Sequence, residues 1–260
     1  MLIKPNVLKA ELLEKKEVQL GLWNSLDSRI TAEVVAGSGY DWMLIDTEHT
    51  HNELDNVLSL LQAVSRYDVE PIVRIPVLDQ IILKKYMDIG ARSFLIPFVN
   101  SVEECVSAVS FTRYPPYGVR GVALTHRGNQ YGRVPNYLSN AHESICVIVQ
   151  AETSEAIQNV PLMAQVEGID AIFIGPGDLA ASYGHPGNPS HPEVQEAIAS
   201  ALKACKEAGK AIGILAPAEA DARRYHEMGF DFIGLGADIG VLARGVEAIR
   251  AKYADIKPVK

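Results

Sequence analysis

The stretch WMLIDTEHTH, residues 42–51, places Asp46, Glu48, His49 and His51 within six positions, directly after four apolar residues. Two acids and two imidazoles there could hold a metal ion or serve a general base. Other apolar runs also close on polar groups. EPIVRIP carries Arg74, VIVQAET carries Gln150 and Glu152, FIGPGDL carries Asp178, and GLGAD carries Asp238. Glu152 and Asp178 follow successive runs. Two carboxylates, completed by substrate and water oxygens, suit a hard octahedral cation such as Mg2+ or Mn2+. Taken singly, each is equally a helix cap or a surface acid.

Arg74, set among apolar residues, is out of place unless it faces a site or a partner charge. Its planar fork suits a carboxylate or an enolate oxygen, or else a structural ion pair. His49, three residues after Asp46, could be a base oriented by that acid. His49 and His51 also have the H-x-H spacing of zinc-dependent barrel amidohydrolases. Those enzymes resemble each other in further histidines after the fifth and sixth strands, where this chain has Glu152 and Asp178; His51 reads equally as a lead into the next helix. GLGADIG, residues 234–240, misses the dinucleotide fingerprint by one residue and reads as a tight turn. The twelve lysines, at 4, 9, 15, 16, 84, 85, 203, 206, 210, 252, 257 and 260, avoid the apolar runs and their exits. Schiff-base chemistry needs a lysine buried there.

The elements that must position these groups are short apolar runs alternating with helical patterns. Strands are expected at 18–23, 42–46, 70–75, 93–98, 145–150, 171–174, 211–215 and 230–235. Such runs are buried on both faces and therefore parallel. Helical segments such as PEVQEAIASALKACKEAG lie between them, several ending at a glycine (Gly90, Gly209, Gly229) suited to a left-handed cap. Eight βα units predict a (β/α)8 barrel in one domain, 1–260, with an open doubly wound sheet as the alternative. In a barrel, catalytic groups gather where strands run into the following loops. Two connections are long, 115–143 and 184–192 (GHPGNPSHP), and long loops are usually functional or mobile.

The chain has 260 residues and a net charge of −8, with no basic stripe, so nucleic acid is not an expected partner. No apolar run is long enough to predict a membrane span. Residues 1–17 do not read as a signal or transit peptide. Three widely spaced cysteines, Cys105, Cys146 and Cys205, read as free thiols in a reducing cytoplasm.

The motifs IDTEH (45–49), PIVRIP (71–76), RYPPYGVRG (113–121), VIVQAET (147–153), FIGPGDLA (173–180), HPEVQEAI (191–198) and GIL (213–215) occur in one order over almost the whole chain. In this the sequence resembles the metal-dependent class II pyruvate aldolases of the HpcH/HpaI type. The resemblance implies a (β/α)8 TIM barrel of the phosphoenolpyruvate/pyruvate type, with an extra N-terminal helix and the last helix exchanged between paired subunits of a hexamer, a trimer of dimers. It implies a divalent cation (Mg2+, Mn2+ or Co2+) on Glu152 and Asp178. His49, paired with Asp46, becomes the catalytic base, Arg74 the holder of the substrate's 2-oxo oxygen, and Gln150 a site-lining residue. The backbone N–H groups around Gly177 and Asp178 would hold the pyruvyl carboxylate, and Asp88 would reach a neighbouring subunit's site. The implied reaction cleaves a 4-hydroxy-2-oxo acid to pyruvate and an aldehyde. Rival readings are an oxaloacetate-type decarboxylase, an acyl-CoA lyase and a non-catalytic scaffold. His51 stands where the family often has proline, Gly177 where it has Ala, Ser or Asn, and the loop THRGNQYG (125–132) is individual; these positions leave the aldehyde unassigned.

Overall fold

The computed structural model describes residues 5–14 and 17–257, so Lys4, Lys15, Lys16 and Lys260 lie outside the described residues. Eight parallel strands close into a barrel in sequence order. They are β1 (Gln19–Asn24), β2 (Trp42–Asp46), β3 (Glu70–Arg74), β4 (Ser93–Ile96), β5 (Cys146–Ala151), β6 (Ala171–Ile174), β7 (Ala211–Leu215) and β8 (Phe232–Ala237). The helices are α1 (Val7–Glu14), α2 (Arg29–Ala36), α3 (Leu54–Ala63), α4 (Gln80–Asp88), α5 (Val102–Thr112), α6 (Tyr137–Asn140), α7 (Ser154–Met163), α8 (Pro176–Ser182), α9 (Pro192–Glu207), α10 (Glu219–Met228) and α11 (Asp238–Ala251). The expected (β/α)8 barrel and its extra N-terminal helix are therefore present, and every expected strand is found. The glycines after α4, α9 and α10 do adopt left-handed conformations, with φ of 102°, 67° and 97° at Gly90, Gly209 and Gly229.

Inward-facing side chains fill the barrel. Trp23, Trp42, Phe173 and Phe232 meet edge-on or tilted, with ring centroids 5.4–6.5 Å apart, a favoured arrangement of ring quadrupoles. Three glycines make that possible. A Cβ at Gly21 would strike the ring of Trp42, one at Gly213 the ring of Phe232, and one at Gly234 the ring of Trp23. Small and large residues thus alternate between neighbouring strands to reach close packing. Below this layer Leu8 and Leu12 of α1 join the same cluster and stopper the N-terminal end of the barrel.

α11 departs from the compact plan. Its buried residue is Asp238 alone, while Ile239, Val241, Leu242, Val246 and Ile249 are exposed. An apolar groove of about 430 Å³, lined by no residue of α11, opens between β1, β8 and α10 against Val18, Leu20, Ala216, Ala222, Ile233 and Leu235.

Candidate active site

The site assembles at the C-terminal mouth of the barrel from the ends of β2, β3, β5 and β6. Parallel pairing sets Asp46 directly beside Arg74. The guanidinium fork grips that carboxylate, Nε to Oδ1 at 2.9 Å and Nη2 to Oδ2 at 2.7 Å. Its Nη1 lies 2.9 Å from Glu48 Oε2. All three side chains are at most 10% exposed, so this is a desolvated triad and not a surface pair. Trp23 lies beneath it, its ring 5.9 Å from the guanidinium carbon. Asp46 also accepts from the backbone N–H groups of Glu48 and His49.

This corrects one sequence expectation. The His49 ring does not pair with the Asp46 carboxylate, because both oxygens of that carboxylate are already held by the bidentate Arg74 guanidinium. The acid nearest the ring is Glu48, 3.8 Å from Nε2, and the ring is largely exposed at the mouth. His51 is also exposed and faces Asp27 at 3.9 Å. Among the described residues neither histidine belongs to a cluster of three or more ligating side chains.

Gln150 lies at the end of β5 and Glu152 directly follows it. Glu152 is 1% exposed. Its Oε1 accepts the N–H of Phe98 at 2.9 Å, and its Oε2 accepts the Gln150 amide. Phe98 presents that N–H from a left-handed backbone, φ 50°, costly for a non-glycine residue. Burial pushes the Glu152 carboxyl up to about 7; the Phe98 hydrogen bond opposes the rise, and the charges of Asp178 and Glu48 add to it. Glu48 is raised too, first by burial, against the lowering effects of Arg74 and His49.

Asp178 projects from the first turn of α8. Pro176 starts that helix, and the N–H groups of Gly177 and Asp178 have no partner within it. The space beside Gly177 is open, whereas a Cβ at Gly175 would collide with the side chains of Glu152 and Gln150.

These residues fit a divalent cation. Among the described residues no lysine or arginine pairs with Glu152 or with Asp178, although the charge of Asp178 is close enough to raise the cost of ionising Glu152. The Gln150 Oε1 is buried without a partner. An all-oxygen donor set of this kind matches Mg2+, Mn2+ or Co2+ more closely than a soft metal.

Three residues tell a different story. Asp238 is a structural tie, accepting from Asn24 Nδ2 at 2.8 Å and the Ser25 N–H at 2.8 Å to fasten the β8 end to the β1 loop. Asp88 ends α4, at the far end of the barrel from its own chain's mouth. There it accepts from Arg120 at 2.9 Å and lies 3.8 Å from His126. Glu48 is the member of the 42–51 stretch to which sequence reading gave no role of its own. It touches Arg74 and His49 and feels Asp178, linking the two halves of the site. Its position between Asp46 and His49 was the available signal.

The chain matches the model of the HpcH/HpaI aldolase/citrate lyase family over residues 19–245. It is 48% identical over 236 residues to a pyruvate aldolase of Rhizobium etli, covering 91% of this chain and 93% of that one. It is 46% identical over 251 residues to a 5-keto-4-deoxy-D-glucarate aldolase of Enterobacter sp., covering 96% and 98%. A crystal structure of a family protein from Burkholderia cenocepacia superposes with a TM-score of 0.93 at 39% identity, covering 95% of this chain and 98% of that one.

Proposed function

This chain belongs to the HpcH/HpaI aldolase/citrate lyase family and is an aldolase, a carbon–carbon lyase, and from its mouth geometry we propose that it is a metal-dependent one that cleaves a 4-hydroxy-2-oxo acid reversibly to pyruvate and an aldehyde. The observation that supports metal dependence is the buried Glu152 carboxylate, set near Asp178 with no lysine or arginine paired to it among the described residues.

Glu152 and Asp178 would hold the cation. When bound, it supplies Lewis-acid charge beside the 2-oxo oxygen as the C3–C4 bond breaks. His49 takes the C4 hydroxyl proton, and its exposed ring is free to meet an incoming substrate. Arg74 adds fixed positive charge next to the enolate oxygen. Asp46 and Glu48 hold that guanidinium rigid, so little reorganisation accompanies the developing charge. The N–H groups of Gly177 and Asp178 receive the substrate carboxylate, and Gln150 orients Glu152.

The active form is a homo-oligomer, a hexamer built as a trimer of dimers. Two features support assembly. The apolar side chains of α11 are exposed, and the apolar groove on β1 and β8 is lined by none of them, as an exchanged last helix requires. Asp88 lies far from its own mouth, so a catalytic role for it calls for a neighbouring subunit.

The test is a panel of 4-hydroxy-2-oxo acids with pyruvate release coupled to lactate dehydrogenase. Chelator abolishes activity and Mn2+, Mg2+ or Co2+ restores it, while borohydride with pyruvate leaves the enzyme intact. Activity insensitive to chelator, or pyruvate trapped on a lysine, contradicts the reading.

A further inference from the structure

The long connection 184–192 and the first turn of α9 bring together three side chains that the aldolase site does not use. Gly184 and Gly187, with φ of 81° and 76°, let the chain fold tightly. Two successive turns follow: the Asn188 N–H bonds the His185 carbonyl at 3.0 Å, and the His191 N–H bonds the Asn188 carbonyl at 3.2 Å. They set His185 and His191 face to face, ring centroids 3.4 Å apart and 19° from parallel. α9 then begins at Pro192, and its first turn presents Glu193 to the same point. His185 Nε2 lies 2.9 Å from Glu193 Oε2. One ligating atom from each of the three falls within 4.8 Å of the others.

We propose that His185, His191 and Glu193 form a second cation site, for a borderline transition metal such as Zn2+, Ni2+ or Cu2+. Two imidazole nitrogens and one carboxylate oxygen suit those ions, whereas Mg2+ prefers an all-oxygen set. The histidines already approach each other through backbone turns, so little chain entropy opposes binding. His191 gives up only a long bond, its Nδ1 accepting the Glu193 N–H at 3.3 Å, and its ring tilts out of the stack to meet the ion. The positive end of α9 opposes a cation there, and the Glu193 carboxylate offsets that field at close range. Both histidines are partly exposed and Glu193 is exposed, so water completes the coordination. A bound ion would clip the connection between α8, which carries Asp178, and α9.

The test uses the Glu152→Gln, Asp178→Asn protein, so that the candidate active-site cation contributes nothing, dialysed against Zn2+ in excess Mg2+. One Zn2+ per chain is expected. Adding His185→Ala and His191→Ala should weaken that binding at least tenfold. With Cu2+, electron paramagnetic resonance should show nitrogen coupling that the same two substitutions remove, while His142→Ala and His226→Ala leave it. In the chain with Glu152 and Asp178 intact, His185→Ala with His191→Ala should leave Mg2+-supported cleavage unchanged. Failure of the folded protein to bind Zn2+, or binding indifferent to His185 and His191, overturns the site without touching the aldolase reading.

Discussion

At the lower end of the barrel Glu70 and Asp170 are buried carboxylates, and each has a cation from the same chain. Arg92 reaches Glu70 at 2.5 Å, with Ser93 Oγ at 2.7 Å. Lys9 of α1 lies 3.3 Å from Asp170, which also accepts the Val147 N–H at 2.8 Å. At the upper end Asp46 and Glu48 share Arg74, but Glu152 and Asp178 share nothing positive among the described residues. The same fold therefore pairs buried acids with cations where it needs stability, and leaves buried Glu152, beside half-buried Asp178, without one among the described residues where a ligand must enter. Strain of this sort, as at Phe98 and Glu152, is characteristic of functional sites and is offset elsewhere in the structure.

Substitutions at the two ends should separate cleanly. Glu152→Gln should have the largest effect: a lost cation removes several kcal/mol of transition-state stabilisation, about a thousandfold or more in cleavage, together with measurable metal affinity by calorimetry. His49→Ala should reduce aldol cleavage by roughly 10²–10⁴ yet retain far more oxaloacetate decarboxylation, which needs no C4 hydroxyl proton removed. Equal loss of both, in folded and metal-loaded protein, would reassign His49 to orientation or enolate binding. Glu48→Gln should cost about 10–100-fold, with both reactions affected because Arg74 loses part of its support. Arg92→Met, at the lower end, should leave kcat/KM unchanged. It strands Glu70 in a largely buried position, at about 2 kcal/mol after allowance for the partial exposure of Arg92, seen as a Tm lowered by roughly 4–8 °C. A variant at the lower end that cut kcat while preserving Tm would dissolve the contrast.

Much of this was legible in the sequence because burial on both faces forces apolar runs, and eight such runs with intervening helices admit few folds. Boundaries slipped where glycines allowed a strand to continue. β8 begins at Phe232 and runs through GLGA, since Phe230 packs on Tyr225 of α10 at 5.3 Å. Partners distant in sequence were not legible. Asp46 and Arg74 are 28 residues apart, and only the register of two parallel strands places them together. His49, three residues from Asp46, was the nearer candidate by sequence and the wrong partner by charge. The Phe98 N–H on Glu152 could not be foreseen either, because it depends on a left-handed turn at a residue type that disfavours one. The cluster at 185–193 was visible only as a long loop, since its three ligating groups meet through turns that composition does not specify.

Glu152 is a buried carboxyl that no lysine or arginine among the described residues matches. A carboxyl raised from the ordinary 4.5 to about 7 binds its proton more tightly folded than unfolded. Its contribution to stability is therefore fully present below pH 4.5 and is lost as pH rises to about 7, at an expense on the order of 3 kcal/mol above that. The decisive measurement is thermal unfolding at pH 8 of the chain with Glu152 intact and of Glu152→Gln, each in EDTA and in Mn2+. Glutamine can still accept the Phe98 N–H, and the unpaired Gln150 Oε1 can receive its amide. In EDTA the glutamine variant should be the more stable of the two; in Mn2+ the order should reverse, because only the carboxylate gains a cation. A glutamine variant less stable in EDTA, or one stabilised by Mn2+ as much as the intact chain, would contradict the account.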